Sequence, residues 1–318
     1  MFDLSECILK VENLTKSFGR KLVLNNVSFS VQAGEIFGVL GPENSGKSAI
    51  LRAICGQLIP SNGSILVDEI DYKSNFITAI KNVSGYTKLP KLYNYLTGLQ
   101  NMKILSKLRG VFSNDLLLNS AKIVGIDSIL NKKLNSYTLS DKRKLCLAIA
   151  ITANPKLIVL DDPFVGLTAI QLKETQDLIK LLANKYKISF VISSQMLGLM
   201  EQICDNIAIV NNGKILEIRN MDSLRLEAKK DQKLCITTDY PNFAGKIILS
   251  EFKYRVQVCG NNILVYTQEE NLEKVLDRLK YYKLSIFNTK VVTKSLEQLL
   301  EEVLQLRAMN KSWIEEYN

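Results

Sequence analysis

The sequence predicts an α/β fold organised on a largely parallel sheet, with a helical insertion and a small second α+β domain of ferredoxin-like order. Three observations carry this. A continuous apolar run at residues 36–40 feeds directly into a glycine-bearing loop at 41–48 and then a helix-like stretch at 49–55. Apolar runs return at residues 157–160, 189–192 and 207–210, with the amphipathic stretch 169–185 among them, which is the alternation of a parallel α/β sheet. Beyond residue 233, strand and helix signals come in the order β-α-β-β-α-β.

Taken in order, residues 8–31 alternate as strands do, in Ile8-Leu9-Lys10-Val11 and again in Val27-Ser28-Phe29-Ser30-Val31, and Gly34 marks the turn before the buried run. From 96 to 151 the period lengthens. Apolar residues fall three and four apart in 102–108 and 116–124, so a helical subdomain is expected at about 92–152. The charged, helical stretch 221–233 marks the passage between domains at 1–222 and 223–318. In the second domain strands are expected at 234–238, 254–258, 263–266 and 284–291, and helices at 242–249 and 272–281. A last helix is expected at 295–317, opened by Ser295-Leu296-Glu297-Gln298 as a cap.

Composition removes several kinds of chemistry. The 318 residues contain no histidine, which excludes a Ser-His-Asp triad, His-ligated metals and any His acting as acid or base. No window approaches eighteen uncharged apolar residues, and Asp3, Glu6, Lys10 and Glu12 interrupt the start, so neither a membrane span nor a secretory signal is expected. The six cysteines stand singly with no C-x-x-C pair, as reduced structural thiols do. The net charge of +9 is interleaved with acids rather than concentrated, which favours a solvated basic face over a nucleic-acid surface.

The segment Gly41-Pro42-Glu43-Asn44-Ser45-Gly46-Lys47-Ser48 fits G-x-x-x-x-G-K-[ST]. In that pattern glycines let backbone N–H groups wrap phosphates, Lys47 reaches the terminal phosphates, and the Ser48 hydroxyl ligates Mg²⁺. The following helix points its positive end at the same anion. Leu157-Ile158-Val159-Leu160-Asp161-Asp162 supplies the second half of such a site, with Asp161 at a strand end facing the metal. ATP and Mg²⁺ are the expected ligands.

At this point residues 8–218 resemble the ATP-binding subunits of ABC transporters, including Leu14-Thr15-Lys16-Ser17-Phe18-Gly19, Leu24-Asn25-Asn26-Val27-Ser28-Phe29 and Cys204-Asp205-Asn206-Ile207-Ala208-Ile209. The resemblance implies a RecA-like core, an inserted helical subdomain carrying the signature motif, and head-to-tail dimers holding two ATPs. It implies an integral-membrane permease as partner, docking near residues 86–110, and a place on the cytoplasmic inner face of the membrane. Phe18 would stack on adenine by this likeness; a core position is the alternative. The C-terminal extension is similar to that of bacitracin- and antibiotic-resistance exporters.

Several functional positions depart from the family. Glu43 and Asn44 replace the usual Asn-Gly, and Ala49 replaces the usual Thr after the metal serine. The signature aligns to Tyr137-Thr138-Leu139-Ser140-Asp141, so that Leu139 and Ser140 add side chains where backbone must approach phosphate, and Asp141 adds negative charge. The carboxylate after Asp161 is Asp162, one methylene shorter than the family's glutamate. The switch position is Gln195, an amide that hydrogen-bonds but carries no charge. The D-loop position is Thr168, and the Q-loop position falls at Lys88 or Leu89. Lys47, Ser48 and Asp161 remain. The expectation is an ATP-binding exporter subunit, homo- or heterodimeric, in which binding is kept and turnover is slow or lost; a regulatory subunit paired with an active ATPase is the alternative. A soluble ABC protein of translation or DNA repair is disfavoured, because neither a second cassette nor a long coiled-coil insert is visible.

Overall fold

The computed structural model describes residues 6–87, 91–230, 233–267 and 269–292. The chain divides into two compact units, Met1–Asn220 and Met221–Asn318.

The first unit opens with two long antiparallel strands, β1 (Cys7–Phe18) and β2 (Lys21–Gln32), whose alternating pattern buries one face and exposes the other. Then come β3 (Ile36–Leu40), α1 (Lys47–Ile54), β4 (Asn62–Val67), β5 (Ile70–Asp71), α2 (Tyr72–Lys81) and β6 (Val83–Tyr86). The chain leaves the sheet here for α3 (Gly98–Lys107), α4 (Asn114–Val124) and α5 (Leu139–Ile151), and returns at β7 (Leu157–Leu160). It closes with α6 (Ala169–Tyr186), β8 (Ser189–Ser194), α7 (Leu197–Ile203), β9 (Asn206–Asn211) and β10 (Lys214–Asn220).

Two sheets result. One has the order β2-β1-β4-β5; the other has β10-β9-β3-β8-β7-β6, with β3, β6, β7, β8 and β9 parallel and β10 added antiparallel. Every residue of β3 and β7 is buried, which is why both read as unbroken apolar runs rather than alternations. Phe29 of β2 stacks on Phe37 of β3 at 4.9 Å, joining the two sheets in one core with Leu9, Leu51, Ile54 and Val191.

The three inserted helices start where side chains can cap them. Thr97 and Gln100 form a reciprocal capping box on α3, and the Ser113 hydroxyl accepts the Leu116 N–H on α4. Gly125 ends α4 at φ 73°, a left-handed position that glycine takes without strain.

The second unit comprises α8 (Met221–Lys230), β11 (Lys233–Thr238), α9 (Pro241–Ile247), β12 (Arg255–Cys259), β13 (Asn262–Tyr266), α10 (Leu272–Tyr281) and β14 (Ile286–Val292). Its sheet has the order β12-β13-β11-β14, all antiparallel, which is the ferredoxin-like arrangement. Leu234, Ile236, Ile263 and Val265 on one sheet face pack with Ala244, Ile248, Val275 and Leu279. The helix expected at 295–317 lies outside the described residues.

Candidate nucleotide site

The loop between β3 and α1 is shaped by contacts that only glycine permits. A Cβ on Gly41 would fall 2.2 Å from the Val210 carbonyl oxygen, and Gly46 sits at φ 110°. Asn44 stands at φ 59°. The family's glycine is therefore replaced by a residue type that tolerates the left-handed region, and the loop geometry survives the change. A second glycine clamps the loop from outside: in the turn between β9 and β10, Gly213 donates its N–H to the Ser45 carbonyl at 2.7 Å and accepts the Asn25 N–H at 2.8 Å. A Cβ there would meet the Val23 carbonyl at 2.2 Å.

Within the loop several donors are poised. Lys47 is buried and its Nζ donates to the carbonyls of Gly41 and Pro42 at 2.8 Å each. No side chain caps α1, whose Ala49 and Ile50 amides bond the Gly46 carbonyl at 3.0 and 3.1 Å. The Ser45 hydroxyl is buried without a hydrogen-bond partner. Ser48 is exposed at the helix start. Residues 44–49 line a cleft of about 380 Å³ together with Lys21, Leu22 and Gly213.

Asp161 follows β7 and donates its backbone N–H to the Tyr86 carbonyl at 3.1 Å. Asp162 stands at φ 46°. Burial pulls the Lys47 ammonium below its ordinary value, against the attraction of Asp162, Asp161 and Glu43. The Asp162 carboxyl is pushed up, first by burial and then by Asp161, with Lys47 opposing. Glu43 thus stands close enough to act electrostatically on both. Beyond β8, Gln195 is exposed, while the Ser194 hydroxyl accepts the Met196 N–H.

Phe18 ends β1 with its side chain 54% exposed, which removes the core alternative. The Lys16 ammonium lies 4.9 Å from its ring centre.

The signature segment forms the start of α5, and its donors are taken. The Thr138 hydroxyl accepts the Asp141 N–H and donates to the Asp141 carboxylate at 2.7 Å, and the same carboxylate oxygen accepts the Thr138 N–H at 3.0 Å. The expectation that Leu139 and Ser140 both add side chains to an approach surface needs correction. Leu139 is 38% exposed, but Ser140 is buried, because the helical phase turns it inward. Thr168 is likewise a cap, in a reciprocal box with Gln171 at the start of α6. Lys88 and Leu89, the candidates for the Q-loop position, lie outside the described residues.

Three residues carry structure that the motifs did not indicate. Gly213 is one of them, through its bonds to Ser45 and Asn25. Arg143 of α5 donates Nη2 to the Val165 carbonyl at 2.5 Å, tying the signature helix to the segment after Asp162. Ser193, fully buried on β8, donates to Asp161 and accepts the Asp162 N–H. A serine at the carboxyl end of a fully buried strand, level with a candidate metal carboxylate, is the signal in the sequence that points to it.

A parallel sheet whose strand runs through a glycine loop into an uncapped helix, with a lysine folded into that loop and two carboxylates at the end of the next strand but one, defines a P-loop nucleotide-binding domain. The family model described as ABC transporter matches residues 24–165. An uncharacterized ABC transporter ATP-binding protein, YdbJ of Bacillus subtilis, is 30% identical over 294 residues, covering 92% of this chain and 94% of its own. The bacitracin transport ATP-binding protein BcrA of Enterococcus faecalis is 29% identical over 297 residues, covering 86% and 96%. Among solved structures, a dimeric post-hydrolysis ATP-binding cassette bound to ADP and Pi superposes with a TM-score of 0.60 at 21% identity, over 67% of this chain and 99% of that one. The chain belongs to the ATP-binding proteins of ABC transporters. Among the described residues no helix is long and apolar enough to cross a membrane.

Proposed function

We propose that the chain binds Mg·ATP at the 41–49 loop and couples that binding to the movement of substrate by an exporter, with hydrolysis slow or dependent on a partner. The observation that supports this most is the loop itself. The unmet Ser45 hydroxyl, the uncapped α1 and the inward-folded Lys47 are donors of the kind that phosphate oxygens meet. These same residues fit a nucleotide and its cation: Ser48 and Asp161 would hold Mg²⁺, which supplies charge neutralisation at the phosphates. Lys47 would exchange its two carbonyl contacts for phosphate oxygens, Phe18 offers an exposed face for the base, and Asp162 and Gln195 are the groups left to orient water. The relatives named for bacitracin transport favour export. An integral-membrane permease and a second cassette, from a copy of this chain or a different one, are the partners this reading requires. It places the chain on the inner face of the membrane.

A second reading, a regulatory subunit pairing with an active ATPase, is favoured by the carboxylate of Asp141 on the signature donors. Binding of ATP and single-turnover hydrolysis, measured on the wild type, Lys47→Ala and Asp162→Asn, separate the two. A charge-assisted contact of about 2–3 kcal/mol predicts that Lys47→Ala weakens ATP binding about 30–150-fold. Turnover lost in Asp162→Asn supports the slow ATPase. Binding without turnover in the wild type supports the regulatory subunit, and binding indifferent to Lys47 sinks both.

A further inference from the structure

The end of β8 holds a hydroxyl whose direction is forced. Ser193 lies opposite Val39 of β3, and Ile192 beside it pairs with Leu160 of β7, so Ser193 stands at the level of Asp161 between the phosphate-loop strand and the carboxylate strand. Its side chain is fully buried. The Asp162 backbone N–H, which can only donate, points to Ser193 Oγ at 2.9 Å. The single hydroxyl proton must therefore go elsewhere, and it goes to Asp161 Oδ1 at 2.5 Å. One oxygen of Asp161 is thereby fixed as an acceptor and the other is left for a further partner. The same hydroxyl accepts the backbone N–H of Asp162, which stands at φ 46° in the left-handed region that Asp takes more readily than most non-glycine residues.

We propose that Ser193 is a positioning residue for the cation site, orienting Asp161 toward the metal that accompanies the nucleotide while holding the backbone of Asp162 in place. This rests on the reading of the 41–49 loop as an Mg·ATP site. Groups that orient a metal's ligands typically change metal affinity 10–100-fold when removed. The hydroxyl meets no part of the phosphate loop's donor set, so nucleotide binding in the absence of metal should not depend on it.

The test uses the full chain with Mn²⁺ as the probe, followed by electron paramagnetic resonance in the presence of saturating ATP, beside ATP binding measured in EDTA. Ser193→Ala is expected to weaken Mn²⁺ binding about tenfold and to change metal-free ATP binding less than about twofold. Ser193→Thr keeps the hydroxyl and should restore the metal affinity. Ser193→Cys keeps the volume with a poor donor and should behave like Ala, which guards against an Ala variant that packs badly. Unchanged or tighter Mn²⁺ binding in both Ala and Cys overturns the proposal, as does an equal loss of metal-free ATP binding, which would make Ser193 merely structural. Failure of the wild type to bind ATP in EDTA, or binding there that Lys47→Ala leaves unchanged, overturns the underlying site instead.

Discussion

Two helix starts in the first unit have the same physical endowment and opposite fates. At α1 no side chain caps the N-terminal amides, the Ser45 hydroxyl has no hydrogen-bond partner and the Lys47 ammonium bonds only backbone carbonyls, although Glu43, Asp161 and Asp162 act on it electrostatically. At α5 the corresponding donors of Thr138 already hold the carboxylate of Asp141. A helix N-terminus attracts negative charge in either case. What differs is whether a carboxylate of the chain already bonds those donors, as Asp141 does at α5 and no side chain does at α1.

The comparison can be broken most forcefully from the α1 side. Gly213→Ala would place a Cβ 2.2 Å from the Val23 carbonyl at a backbone φ of 72°. Strain of about 1–3 kcal/mol should lower the melting temperature by about 2–10 °C and weaken ATP binding, because the clamp on Ser45 shifts. A variant with full stability and affinity would show that the turn does not shape the loop. On the α5 side, Thr138→Ala removes the hydroxyl's part of the reciprocal cap while keeping the backbone N–H that donates to Asp141, and should cost about 1 kcal/mol, read as a lower denaturation midpoint with unchanged slope. Asp141→Gln keeps a residue type that completes the box and should be nearly neutral. Equal losses in the two would mean that the carboxylate's charge, rather than the cap, holds the segment.

The smallest effect concerns Asp162. Its folded-state value is raised above the ordinary 3.8, so its stabilising contribution is present only while the group is protonated and is lost as pH rises through the raised value. At neutral pH the full penalty stands. Asp162→Asn, which also suits φ 46°, should raise the metal-free melting temperature at pH 7 by about 1–3 °C. The gain should vanish as pH falls below the ordinary carboxyl value. A gain that persists in acid would assign the effect to backbone conformation instead.

Much of this was legible in the sequence where spacing alone decides. The phosphate loop, the buried runs of β3 and β7 and the succession of strands and helices along the second unit follow from local pattern. Ser140 was misjudged because a motif alignment ignores helical phase, which turns that residue inward while Leu139 stays at the surface. Ser193 and Gly213 were not legible, since each acts across a distance that only the sheet closes: Ser193 on Asp161 from a neighbouring strand, Gly213 on Ser45 from a hairpin far along the chain. Asn44 departs from the family's glycine, yet at φ 59° it stands where an asparagine is tolerated.

The Arg143 contact with the Val165 carbonyl joins the first turns of α5 to the stretch that follows Asp162, and Leu139 lies against Gly166 in the same place. Neither segment can open to solvent without breaking that joint. In the language of amide hydrogen exchange such a joint is expected to make them one cooperative unit, in which protection gained at either end should be shared by the other.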